Sequence, residues 1–222
     1  MKVILFGATG MVGQGVLREC LLDRDVERVL AVGRSSSGVR HDKFGELILS
    51  DLMNYSSVEN QLLGYDACFF CLGVTSAGKS EQDYSRVTYD LTIAAAQTLA
   101  KLNPTMTFIY VSGTGTDSTE RGRMMWARVK GKTENELMRM FPNAYMFRPG
   151  YIQPLHGIRT KTAWYSVFYA VLAPIYPVLR RLIPKYVTTT EEVGKAMLEV
   201  TKHGYPKKIL ESPDITAAGI KK

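Results

Sequence analysis

The 222-residue chain has only three cysteines and three histidines, and no low-complexity run. Each scarcity excludes something. Cys20, Cys68 and Cys71 are an odd number, which argues against a disulfide framework and for a reducing compartment. With no signal peptide at the start, the expected location is cytoplasmic. Cys68 and Cys71 are not read as a redox pair either. "ACFFCLG" has the pattern of a buried strand, in which residues three apart point to opposite faces, whereas a reactive pair opens a helix. No metal site is read from the sequence. With 45% hydrophobic residues and neither repeat nor linker, one domain with a sizeable core is expected over residues 1–222.

Acid is scarce in one half. Residues 1–110 carry 10 Lys+Arg against 12 Asp+Glu, and residues 111–222 carry 18 against 9, so the formal +7 belongs to the second half. Its basic residues are scattered among apolar ones, without paired aromatic strips or a recognition helix, and no nucleic-acid partner is expected. The excess suits a phosphate-bearing cofactor or an anionic surface.

What is present is an alternation. "KVILFGATG" is an apolar run ending in glycine, and "MVGQGVLRECLLD" after it has helical spacing, with Val12, Val16 and Leu17 on one side. "RVLAVGRS", "GELILSDL", "DACFFCLGV", "MTFIYVSG" and "AYMFRPGYI" read as five more strands with helical segments between most of them. Continuous apolar strands alternating with helices predict an α/β fold, a doubly wound Rossmann-type parallel sheet with helices on both faces. Near the end, "VTTTEEVGKAMLEVTKHG" predicts a helix capped by threonine, with Glu191 and Glu192 in its first turn.

Gly7, Ala8, Thr9, Gly10, Met11, Val12 and Gly13 lie between the first strand and the first helix. Gly7 suits a tight turn, Gly10 a backbone approaching a pyrophosphate, and Gly13 a helix packed close on a strand. The N–H groups of the helix start then face phosphates, so the loop predicts dinucleotide binding. At the end of the second strand an acid would read the 2′-OH of NAD(H). Here Arg34 and Ser35 stand instead, in "VGRSSSG", and able to meet a 2′-phosphate they favour NADP(H) over NAD(H). The competing reading of Arg34 is a solvated surface side chain.

"FGATGMVG", "SDL" at 50–52, "CLGVT" at 71–75, "YVSGTG" at 110–115, Lys130 and "FRPGYI" at 147–152 follow one another as in the atypical short-chain dehydrogenase/reductases, whose small NAD(P)-binding, epimerase-like group the chain resembles. The resemblance implies that Asp51 and Leu52 flank the adenine. It places Cys71, Leu72, Gly73, Val74 and Thr75 along the nicotinamide ribose, and has Pro149, Gly150, Tyr151 and Ile152 close over the nicotinamide end. Val111 and Ser112 join the cofactor-binding set, and Thr114 would be a helper hydroxyl.

In that family's chemistry a tyrosine exchanges a proton with substrate oxygen, and a lysine one helical turn on lowers the phenol pKa and holds the cofactor ribose. Lys130 fits the lysine. The tyrosine position holds Trp126, whose indole N–H only donates. Several readings stay open. Trp126 could stack on substrate or cofactor while Thr114 or water relays the proton; Tyr151 or Tyr84 could replace the phenol; the reaction could need none; catalysis could be lost. The plainest alternatives make Trp126 a core residue and Lys130 a solvated one.

Residues 163–179 are seventeen mostly apolar positions flanked by Arg159, Lys161, Arg180 and Arg181, and broken by Pro174 and Pro177. A spanning helix needs about 20 unbroken residues. Residues 153–187 are therefore read as a small C-terminal cap on the substrate side, shaping a pocket for a bulky or apolar small molecule or a subunit contact in a homodimer. Weak peripheral association with a membrane is the alternative. Taken together, the sequence predicts an NADP(H)-binding oxidoreductase or epimerase-like protein, with a non-catalytic NADP(H)-dependent regulator of a protein partner as the runner-up.

Overall fold

The computed structural model describes residues 1–158, 176, 181 and 186–220. Its strands are β1 (Lys2–Phe6), β2 (Arg28–Gly33), β3 (Phe44–Ile48), β4 (Ala67–Phe70), β5 (Thr107–Val111), β6 (Ala144–Arg148), β7 (Tyr151–Gln153), β8 (Val187–Thr189) and β9 (Ile209–Glu211). Its α-helices include α1 (Met11–Leu22), α2 (Glu81–Ser85), α3 (Leu91–Leu102), α4 (Met125–Met140), α5 (Thr190–His203) and α6 (Ser212–Ile220); a π-helical stretch, Arg86–Asp90, joins α2 to α3. Seven strands form one sheet in the order β3-β2-β1-β4-β5-β6-β9, every pair parallel. The doubly wound α/β expectation holds.

Strand periodicity divides the core in two. Val3, Leu5, Val29, Ala31, Ala67, Phe69 and Ile109 point to one face and pack with Val16, Cys20, Val193, Met197 and Ile215 from α1, α5 and α6. Ile4, Phe6, Leu30, Val32, Cys68, Phe70 and Phe108 point to the other and meet Ile93, Leu99 and Leu137 from α3 and α4. Cys68 belongs to the second cluster and Cys71 packs on the first, as their spacing requires. Because both faces are covered, these strands show no polar alternation. The second face is aromatic: Phe6 stacks on Phe70 at 4.9 Å and Phe108 on Phe141 at 4.8 Å.

Two expectations change. "AYMFRPGYI" is not one strand. β6 ends at Arg148, and Tyr151–Gln153 pairs with β8 in a separate two-stranded sheet. Pro149 between them has no N–H for a ladder, which explains the break. β9, three residues long, extends the main sheet beside β6 and was not foreseen. The threonine-capped helix forms as expected: Thr189 Oγ1 accepts from the Glu192 N–H at 3.0 Å, and Glu192 accepts from the Thr189 N–H at 3.0 Å. Most of the expected cap, and nearly all of residues 163–183, lie outside the described residues. The β7–β8 pairing, Tyr151 with Val187, joins the two ends of that segment. No helix among the described residues is long and apolar enough to cross a membrane.

Candidate active site

All strands of the main sheet run parallel, so the loops after β1, β4, β5 and β6 gather at one edge. Strand order reverses between β1 and β4, which opens a crevice there. Gly7 adopts φ +81°, and a Cβ on it would fall 2.7 Å from the backbone of Cys71 and Leu72. A Cβ on Gly13 would come within 2.0 Å of the Gly7 carbonyl oxygen. The Gly10 N–H donates to that carbonyl at 2.9 Å, and Gly10 caps α1 without any side-chain bond. The first turn of α1 holds no acid. This cradle fits a dinucleotide pyrophosphate: the backbone is bare and the positive helix end points into the crevice.

Beside it, Gly7, Ala8, Thr9, Arg34, Ser35, Glu46, Leu52 and Leu72 line one cleft. Leu52 is buried, whereas Asp51 is exposed and accepts the Met53 N–H at 2.8 Å. Cys71, partly buried, donates its N–H to the Phe6 carbonyl, and burial pushes its thiol pKa up. Gly73 and Val74 are exposed on the same loop. Arg34 is exposed too. The serines after it are engaged: Ser36 Oγ donates to Glu46 at 2.5 Å, and Ser37 donates from its N–H at 2.6 Å and its Oγ at 2.8 Å.

At the far end of the crevice α4 carries Trp126 and Lys130 one turn apart, facing the loop after β5. The Lys130 ammonium donates to the Ser112 carbonyl, and burial pushes its pKa down to about 8, with Glu134 pulling the other way. Lys130 is not a solvated lysine. Trp126 is half-buried with its ring edge against Gly115, so it is not a core residue either. The Ser112 hydroxyl donates to Glu134 at 2.5 Å, and Glu134, fully buried, is clamped by the Arg148 guanidinium through both carboxylate oxygens. Thr114 Oγ1 lies 3.0 Å from the Arg148 carbonyl and 3.4 Å from a Glu211 carboxylate oxygen, and its N–H donates to the Pro149 carbonyl at 2.9 Å. Val111 ends β5 beside Phe147.

Neither substitute phenol is free of its surroundings. Tyr84 is 2% exposed, and burial raises its pKa. Tyr151 donates to Gln153 at 2.7 Å, and its pKa is raised by burial and by Tyr176. Gly150 donates to Ser212 at 2.9 Å, and Ile152 is buried. Glu134, Arg148, Glu211 and Glu46 were missed from sequence. The i, i+4 spacing from Lys130 to Glu134 was the one available signal.

This geometry belongs to a known class. Residues 7–145, more than half of the chain, match the profile of the NAD(P)H-binding family. The chain belongs to that family. It is 25% identical to the mitochondrial protein FMP52 of Meyerozyma guilliermondii over 96% of this chain and 92% of that one. It is also 25% identical to protein HTATIP2 of Rattus norvegicus, over 67% of this chain and 62% of that one. In fold it is similar to the short-chain dehydrogenase/reductase YIR035C of Saccharomyces cerevisiae, with TM-score 0.60, 16% identity and coverage of 97% and 98% of the two chains. It is also similar to WbmF of Bordetella bronchiseptica, solved with NAD+, with TM-score 0.68, 13% identity and coverage of 97% and 76%. One expectation is corrected here. The FMP52 relatives are mitochondrial proteins, against the cytoplasmic location read from the sequence. Unpaired thiols mark a reducing environment and do not say which one.

Proposed function

We propose that this protein is a nicotinamide-dinucleotide-dependent oxidoreductase or epimerase-like enzyme acting on a bulky or apolar substrate. The observation that carries the reading is the half-buried Lys130, its ammonium held on the Ser112 carbonyl at the same sheet edge as the glycine cradle. Residues 7–13 would hold the pyrophosphate, Asp51 and Leu52 the adenine, residues 71–74 the ribose, and residues 149–152 the nicotinamide end. Arg34, with Ser35, supports NADP(H). The bound nicotinamide supplies hydride transfer.

Around it the chain's own groups have separable tasks. Lys130 would hold ribose hydroxyls and keep positive charge near the reacting oxygen. Val111 and Ser112 fix the strand end from which Lys130 is hung, with Glu134 and Arg148 locking the Ser112 hydroxyl. Thr114, with Glu211 beside it, offers a hydroxyl for proton exchange, and Trp126 a flat face for substrate or cofactor. Residues 153–187 are proposed as the cap, with self-association and peripheral membrane contact as its competing roles.

A regulator that binds the cofactor without turnover is the second reading, favoured by the indole at position 126 and by the engagement of both substitute phenols. Steady-state oxidation of NADPH and NADH against a panel of carbonyls and nucleotide sugars separates the two. Turnover that Lys130→Ala cuts more than about tenfold supports the enzyme. Tight cofactor binding with no turnover by the wild type or by Trp126→Tyr, together with a partner captured only when cofactor is present, supports the regulator.

A further inference from the structure

We infer that Glu46 is a second determinant of cofactor choice, opposing Arg34: its carboxylate occupies two of the three serines that follow Arg34, sets a negative charge beside the place of a 2′-phosphate, and so keeps NAD(H) in use. The inference rests on the nicotinamide-dinucleotide reading above. Register pairs Glu46 of β3 with Ala31 of β2, so both side chains leave the sheet on one face. Both also line the cleft, together with Gly7, Thr9, Arg34 and Ser35. Three donors converge on the carboxylate, Ser36 Oγ at 2.5 Å, the Ser37 N–H at 2.6 Å and Ser37 Oγ at 2.8 Å. Read as sequence, the serines after Arg34 were available to a phosphate. In the fold, an acid of the chain itself has taken Ser36 and Ser37.

An arriving 2′-phosphate meets two costs. It must displace charge-assisted hydrogen bonds from Glu46, and it must rest near a like charge in a half-buried cleft. A ribose 2′-OH meets neither and can donate to the carboxylate. Burial works against ionisation of Glu46, but the bonds from Ser36 and Ser37 outweigh it and hold its pKa below the usual carboxylate range, so the charge persists at neutral pH. In dinucleotide folds the acid that reads the ribose ends the second strand. Here Arg34 stands at that place, and the acid comes from the next strand outward.

Fluorescence titration of NADH and NADPH tests this with the wild type, Glu46→Gln and Arg34→Ala. Glutamine keeps the length and an acceptor oxygen while removing the charge. The wild type is expected to separate the two cofactors by less than about tenfold, Glu46→Gln to tighten NADPH at least about fivefold with NADH nearly unchanged, and Arg34→Ala to weaken NADPH alone. An unchanged NADPH-to-NADH ratio in Glu46→Gln overturns the inference. If that variant does not fold, competition on the wild type between adenosine 2′,5′-bisphosphate and adenosine 5′-monophosphate decides. Similar affinities uphold the inference, and a preference above about tenfold for the bisphosphate overturns it. Failure of the wild type to bind either dinucleotide defeats the underlying reading instead.

Discussion

Burial of Lys130 should leave a pH signature in both stability and turnover. Its folded-state pKa, pushed down to about 8, lies below the unfolded value of 10.5. The unfolded chain therefore binds the proton more tightly. Folding carries a cost on the order of 3 kcal/mol below pH 8, and stability recovers as pH rises from about 8 toward 10.5. Lys130→Met, which removes the buried charge, should melt at a higher temperature than the wild type at pH 7. If the ammonium serves catalysis, kcat/KM should fall as pH rises through about 8. Lys130→Ala should erase that inflection and cut kcat/KM more than about tenfold, or about 1.4 kcal/mol in the barrier. Lys130 and Trp126 were legible because helical spacing alone puts them one turn apart. Glu134, Arg148 and Glu46 were not, because each is an ordinary charged residue until a distant strand or loop supplies its partner.

Elements carry their own tests. The bond pair between Thr189 and Glu192 starts α5, and Thr189→Ala should lower stability by about 1 kcal/mol in urea titration. Arg148→Met should cost more, about 3 kcal/mol or above, because it takes both guanidinium bonds away from the fully buried Glu134. In the glycine loop the two outcomes should diverge. Gly13→Ala puts a methyl 2.0 Å from the Gly7 carbonyl oxygen and should lower both stability and cofactor affinity, the latter more than about tenfold, while Gly10→Ala meets only that oxygen among protein atoms, at 3.3 Å, and should spare stability while it weakens the cofactor. Six strands were readable as apolar runs, though the sixth breaks at Pro149. β9 escaped notice because three residues, Ile209–Glu211, are too few for periodicity to show.

Across the whole molecule, the crevice at the strand-order reversal is formed by loops far apart in sequence, so a bound dinucleotide would tie both halves of the sheet together. Saturating cofactor should raise the melting free energy by RT ln(1 + [L]/Kd), about 2.7 kcal/mol at a hundredfold excess over Kd, and Gly13→Ala should lose most of that shift. The sequence by itself determined the doubly wound fold and the glycine cradle, because apolar periodicity and a strand-turn-helix junction are local properties that survive translation into a single string. It also determined the pairing of Lys130 with Trp126 for the same reason. Only the tertiary structure decided what the charges do. It sends Ser36 and Ser37 to Glu46, buries Glu134 under Arg148, and brings Glu211 to Thr114, since electrostatic environment depends on through-space neighbours and desolvation, and neither is written in the order of residues.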